Sequence, residues 1–160
     1  RGAARRMPRR VFGLCVSAVQ SEVFNRVVAA RLDRLGTLLP GDLAVLHRNG
    51  AVFPVEDAAA EQPRADALEL SPSGPMLRPR AEPLALEQAA LAELGLGGAE
   101  FEDLPFGLGR GERRPLRMPV TDAAARAVDG DLELVFALPK GGYATSVLRE
   151  LLTTTIWFGG

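Results

Sequence analysis

The stretch Asp131-Leu132-Glu133-Leu134-Val135-Phe136-Ala137-Leu138-Pro139-Lys140-Gly141-Gly142-Tyr143-Ala144-Thr145-Ser146-Val147-Leu148-Arg149-Glu150-Leu151-Leu152 decides the fold class. Leu132, Leu134, Phe136 and Leu138 alternate with Glu133, Val135 and Ala137, which is the two-residue period of a strand with one buried face. Pro139 to Gly142 interrupts any ladder, and from Tyr143 onward Val147, Leu148, Leu151 and Leu152 form the apolar side of an amphipathic helix. A strand running through a tight turn directly into a helix marks an α+β chain. Glycines at a helix start let backbone N–H groups approach a phosphate or carboxylate closely. Lys140 and Arg149 add charge, and Tyr143 offers an aromatic face to a base. Spacing alone leaves a second reading open, a plain tight connection with Tyr143 packed in the core. A Walker loop is excluded because no Lys-Ser or Lys-Thr pair follows the glycines, and the spacing is not that of a Rossmann turn.

Toward the amino terminus, Asp129-Gly130 introduces the strand, Thr121 to Val128 reads as a short helix or bent connection, and Arg113 to Val120 as a strand. Gly107 to Gly111 and Gly95 to Gly98 read as loops, the latter stopping a helix predicted from Pro83 to Leu94. Ala67 to Leu70 is a candidate strand, closed by Ser71-Pro72-Ser73-Gly74-Pro75, where prolines and glycine argue against regular structure. Ala58 to Asp66 reads as a loop or frayed helix. Asn49-Gly50, between Leu43–Leu46 and Ala51–Val55, predicts a two-residue hairpin turn. A helix is predicted from Ser17 to about Gly36, with Val23, Phe24, Val27, Val28, Leu32 and Leu35 inward, and Glu22, Arg26, Arg31 and Arg34 outward. Ser17 and Gln20 have the spacing of a capping box at its start. Pro40-Gly41-Asp42 then marks a shift in composition.

At 160 residues, 47% hydrophobic and 24% charged, the chain suits one ordinary domain or two small lobes. A net charge of -1 gives no global positive field, but Lys140 is the sole lysine and five arginines (Arg1, Arg5, Arg6, Arg9, Arg10) crowd the first ten positions. That cluster reads either as compositional bias in a solvated tail or as an RNA-contacting arm. The lone Cys15 and lone His47 exclude an internal disulfide and Cys/His zinc clusters, so neither metal nor cofactor is expected. No apolar run approaches the roughly 18 to 20 residues of a bilayer span, so a soluble, cytoplasmic protein without membrane contact is expected. No Gly-x-Ser-x-Gly occurs, His47 lacks a serine or cysteine partner nearby in sequence, and Glu56-Asp57 and Glu102-Asp103 receive no role. Opening on Arg1 rather than methionine, the sequence reads as part of a longer protein.

Five segments, in order, resemble the later part of TruD pseudouridine synthases. They are Ser17-Ala18-Val19-Gln20-Ser21-Glu22-Val23-Phe24-Asn25; Gly41-Asp42-Leu43 with Val52-Phe53-Pro54-Val55-Glu56-Asp57; Leu70-Ser71-Pro72-Ser73-Gly74-Pro75-Met76; Gly111-Glu112-Arg113-Arg114-Pro115-Leu116; and Leu138 to Leu151, which resembles the family's LPxGxxATSVxRE. The resemblance implies a cofactor-free isomerase that converts uridine at position 13 of tRNA to pseudouridine. It implies a pseudouridine synthase catalytic domain carrying an inserted domain, with residues 1–39 and 120–160 in the catalytic part and 40–119 in the insert. The family's nucleophilic aspartate lies in a Gly-x-Lys-Asp motif that does not occur here, so the catalytic residue is expected on a missing amino-terminal half and the fragment is expected to be inactive alone. The uridine-contacting ring falls on Tyr143. Arg149 is expected to support the site or pair with the absent aspartate, beside Lys140, Gly141 and Gly142. Competing readings are a non-catalytic RNA-binding module and an anion- or nucleotide-binding domain of another enzyme. An isolated chain whose last strand and helix lack sheet neighbours would also be unstable.

Overall fold

A computed structural model describes residues 7–76, 84–97, 104 and 112–152. Arg1, Arg5, Arg6, Pro83, Gly98, Glu102-Asp103 and the Gly107 to Gly111 loop therefore lie outside the described residues. The chain divides between Arg117 and Met118 into two units.

In the first unit, helix α1 spans Arg9–Ala30, beginning eight residues before the predicted start. Pro8 precedes it and accepts the first helical bond from Phe12, and the buried positions Phe12, Val16, Gln20, Val23 and Val27 continue one stripe back through Ser17. Ser17 is thus interior to the helix and caps nothing. By length and composition alone α1 is long and apolar enough to cross a membrane, a property it shares with core helices, and its apolar stripe is packed inside the unit. The helix ends at Arg31, followed by a 3-10 turn at Leu32–Arg34. Two assignments by residue type reverse here: Leu32 is 70% exposed and Arg31 is 2% exposed.

Arg31 is buried because it has partners. Its Nη1 donates to Asp42 Oδ1 and Oδ2 at 2.8 and 2.9 Å, and its Nη2 donates to the Thr37 carbonyl. Asp42 Oδ2 also accepts from Leu39 N–H at 2.9 Å. The pair ties the end of α1 to the residue that leads into the sheet.

The sheet has order β2-β1-β3-β4, built from β1 (Leu43–Leu46), β2 (Val52–Pro54), β3 (Leu70–Pro75) and β4 (Arg113–Pro115), all neighbours antiparallel. Asn49-Gly50 does not form a two-residue turn. Val45 pairs with Val52, Leu46 N–H bonds to Ala51, and residues 47–50 form the loop, with Asn49 Oδ1 accepting from Ala51 N–H and Gly50 at φ 72°.

The segment predicted to be irregular, Ser71 to Pro75, forms most of β3, an inner strand buried along its whole length. The register explains how the prolines fit. Pro72 faces Ala44 at a position that makes no ladder bond to β1, and its nitrogen and carbonyl both point toward Leu116, just past the end of β4, where the missing donor leaves one bond, from Leu116 N–H to the Pro72 carbonyl at 2.8 Å. Pro54 and Pro115 lie on the outer strands opposite Leu43 and Ser73, with their nitrogens turned away from the only neighbouring strand. Where β1 and β3 begin to diverge, Ser73 Oγ donates to the Leu43 carbonyl.

Helix α2, Ala58–Asp66, is regular rather than loop or frayed, because Asp57 caps it by accepting from Ala59 and Ala60 N–H, each at 3.0 Å. Asp57 thus has a structural role that its position beside Glu56 did not reveal. Helix α3, Ala85–Glu93, begins with Leu84 N–H donating to Glu87 at 3.1 Å. Glu87, 3% exposed, pairs with Arg113 at 2.7 Å, and Arg113 in turn donates to the Ser73 hydroxyl and carbonyl. One apolar cluster joins Val23, Val27, Ala90, Leu91 and Leu116, and another joins Leu38, Ala44, Val55, Ala65 and Leu70. His47 Nε2 lies 2.9 Å from Ser71 Oγ, a partner hidden by 24 residues of separation. Ser71 is fully buried, so the pair is structural.

The second unit is a hairpin of β5 (Thr121–Val128) and β6 (Asp131–Ala137), followed by α4 (Ala144–Leu152). Thr121 to Val128 is a strand and not a helix. Asp129 and Gly130 both have positive φ (52° and 90°), the requirement of the tight turn whose twist suits a hairpin, and pairing overrides the helical preference of an alanine-rich segment. The strand predicted over Arg113 to Val120 is confined to β4. The β6 face expected to be buried is not: Leu132 is 61% exposed, and no described residue of this unit is buried. Two strands and one short helix enclose too little volume to bury a residue.

Asp42→Ala leaves the Arg31 charge buried without its carboxylate, and urea unfolding of the first unit should show a loss of about 3–5 kcal/mol. The double change Arg31→Met with Asp42→Leu should cost clearly less. Burial, and then the Arg117 charge, lower the His47 pKa below its usual 6.5. The unfolded chain then binds this proton more readily, so His47 contributes a loss of stability as pH falls below about 6.5. His47→Gln should flatten that part of a melting-temperature profile.

Candidate functional site

The predicted site residues fall at one corner of the second unit. Pro139, Lys140, Gly141 and Gly142 form a turn closed by Gly142 N–H donating to the Pro139 carbonyl at 3.0 Å. Gly141 takes φ +93°, where a side chain is strained. Gly142 answers a different constraint, since a Cβ there would sit 3.1 Å from Leu138 Cβ, 3.2 Å from Met118 Cε and 3.2 Å from the Pro139 carbonyl oxygen. The contact with Met118 had no signal in the sequence.

Tyr143 follows at the helix start. Its carbonyl accepts from Ser146 and Val147 N–H at 3.0 and 3.4 Å, which anchors its backbone to the first turn of α4. Its side chain is 72% exposed, so the ring is not a core ring. Arg149 is exposed on α4, six residues on and about 240° around the helix axis, away from the side that continues Tyr143. The structure thus brings Lys140, Gly141, Gly142 and Tyr143 together by chain continuity and leaves Arg149 on the polar side of the helix. This corner offers a flat aromatic surface, a nearby cation at Lys140 and a backbone turn held open by glycines. It can stack a base and neutralise an anion, but it holds no carboxylate or imidazole to act as nucleophile or base.

Two shallow grooves lie elsewhere, in the first unit. One of about 390 Å³ runs between α1 and α3, bounded by Arg26, Ala30, Leu86 and Glu93, and another of about 440 Å³ adjoins Phe53, Asp57 and Glu61. Neither contains a residue of the turn or of α4. Among the described residues no cluster of three His, Cys, Asp or Glu side chains could hold a metal ion.

The sequence model of the family described as "tRNA pseudouridine synthase D (TruD)" matches residues 1–151. A protein of that name from Syntrophotalea carbinolica is 46% identical over 160 aligned residues, covering 96% of this chain and 40% of the relative. One from Geobacter metallireducens is 52% identical over 157, covering 94% of this chain and 39% of the relative. A crystal structure assigned to tRNA pseudouridine synthase D (TruD) from Methanosarcina mazei superposes with a TM-score of 0.71 at 23% identity, covering 94% of this chain and 40% of that one. At that identity the likeness is one of fold. The chain spans about two fifths of the length of the relatives it matches.

Gly142→Val should open the turn and reduce the hydrogen-exchange protection of the Ser146 and Val147 amides by about fivefold or more, equivalent to about 1 kcal/mol of local opening. Gly97→Ala, where an added Cβ meets nothing within 4 Å, should leave those amides unchanged.

Proposed function

The chain belongs to the TruD family of tRNA pseudouridine synthases, and on that premise we propose that it supplies the uridine-stacking part of a cytoplasmic isomerase acting at position 13 of tRNA. The observation that carries the reading is the exposed Tyr143 ring, backbone-anchored at the start of α4, inside a segment covered by the family match. The target base is extruded from its stack at a cost of a few kcal/mol, and stacking on Tyr143 returns about 1–3 kcal/mol. The nucleophilic aspartate comes from a Gly-x-Lys-Asp segment outside these 160 residues; the N1–C1′ bond of the uridine breaks, C5 bonds to C1′ in its place, and the C5 proton is lost as N1 takes one up, so the product is an isomer. Lys140 and the open turn neutralise phosphate near the flipped nucleotide. Arg149, exposed on the flank of α4 away from Tyr143, supports the site from that side by offering a cation to a carboxylate supplied from outside these residues.

In this reading residues 1–39 and 120–160 belong to the catalytic domain and residues 40–119 to the insert. The break in packing after Arg117 supports the second boundary. At the first boundary the chain is continuous in packing, since α1 shares a core with α3 and Leu116. Membership of the family sets aside the nucleotide-binding domain of an unrelated enzyme.

The test is pseudouridine formation by the full-length enzyme. Tyr143→Ala should lower kcat/KM by about 5- to 150-fold, the kinetic equivalent of the stacking energy, while Tyr143→Phe should stay within about twofold. Equal activity of Tyr143→Ala and wild type would remove the ring from the mechanism.

A further inference from the structure

Phe24 and Arg114, each within a segment that carries the family resemblance, meet in space, and the role proposed for Tyr143 does not account for them. The Arg114 guanidinium lies over the Phe24 ring, 5.5 Å from its centre. Strand alternation delivers it there. In β4, Arg113 turns inward to Glu87 and Ser73, so its neighbour Arg114 points the opposite way, to solvent. The backbone of Arg114 is fixed by pairing with Gly74. Phe24 is fixed too, since it occupies the space beside Gly74, its Cδ2 only 2.8 Å from where a Cβ would stand.

Arg114 is therefore exposed yet held, by the ladder beneath it and by the ring under its guanidinium. No carboxylate pairs with it among the described residues, whereas Arg26 and Arg64 are each tied to two glutamates. On α1, positions 17, 21 and 24 fall within about 60° of the helix circumference, which puts the exposed Ser17 and the half-buried Ser21 on the same flank as Phe24. A stacked, planar guanidinium with no hydrogen-bond partner among the described residues, beside a helix whose Phe24 flank also carries hydroxyls one and two turns away, is a donor set suited to phosphate oxygens. Stacking also leaves the arginine with less freedom to lose on binding.

We infer that this face of α1 and β4 is a contact for the phosphodiester backbone of RNA, with Arg114 supplying the charge and Ser17 and Ser21 neutral donors. It positions the RNA without reading its sequence. The inference rests on the reading of the protein as RNA-directed, and it concerns a contact other than the one at Tyr143.

The test measures binding of an unmodified tRNA transcript by fluorescence anisotropy between about 50 and 200 mM KCl, with pseudouridine formation followed in the same samples of full-length protein. Arg114→Gln should weaken binding about tenfold near 100 mM KCl and reduce the log–log salt slope by about one. Arg114→Lys should keep most of that slope, and Arg64→Gln should match wild type. Wild-type affinity and slope in Arg114→Gln overturn the inference, as does weaker binding accompanied by a lower melting temperature and an unchanged slope. An Arg114→Gln protein that binds like wild type while Tyr143→Ala loses isomerisation overturns the backbone contact and leaves the enzyme standing. A weakened Arg114→Gln in a protein that forms no pseudouridine does the reverse.

Discussion

The ion pair between Arg31 and Asp42 sits where α1 hands the chain to the sheet, and the geometry of the first unit follows from it. Arg31 is the first residue past the helix, 2% exposed, and a charge so placed is tolerable only with a carboxylate in contact. Asp42 satisfies that demand and also accepts from Leu39 N–H, so one carboxylate closes the connection between the helix and β1. Once β1 is fixed, β3 pairs beside it, and its Ser73 gathers Arg113 and, through it, Glu87 of α3. A second buried charge pair thereby locks the far edge of the unit. Charges, rather than apolar surface alone, specify how the helices meet this small sheet.

The second unit is built on the opposite principle. Its hairpin is set by a local turn and its helix by a local glycine corner, and none of its described residues is buried. Among them Leu132, Val135 and Leu151 are exposed within these 160 residues. Tyr143 is exposed as well. The stacking role proposed for it requires a bare ring beside a firm turn, and Gly141 and Gly142 shape that turn through a positive φ and close packing.

Legibility in the sequence tracked how local the determining interaction is. Strand β6, the turn and α4 could be read directly, because alternation, turn chemistry and helical spacing all act within a few residues. Ser71 to Pro75 could not, because proline is unfavourable in an inner strand unless its nitrogen avoids the ladder or falls at a strand end, as Pro72 does opposite Leu116 just past β4, and that depends on the pairing of β3 with β1 and β4. Thr121 to Val128 was misjudged for a similar reason, its alanines favouring a helix until β6 supplies a partner. Arg31 was assigned to solvent by residue type, since Asp42 eleven positions away lay in an apparent turn. A functional role for Tyr143 comes only from the family resemblance, because spacing by itself favours a plain connection with the ring in the core, whereas the ring is exposed. The Met118 contact beneath Gly142 and the Arg114–Phe24 stack depend on tertiary approach and left no trace in the sequence.

We propose that this chain holds the stacking half of a site whose nucleophile comes from elsewhere in the family's length. The most direct test is pseudouridine formation in an unmodified tRNA transcript by this chain alone and by the chain joined to an amino-terminal segment carrying Gly-x-Lys-Asp. The chain alone should give no product, and the joined protein should give product. Product from the chain alone would place the nucleophile within these 160 residues, and no product from either would contradict the enzymatic reading.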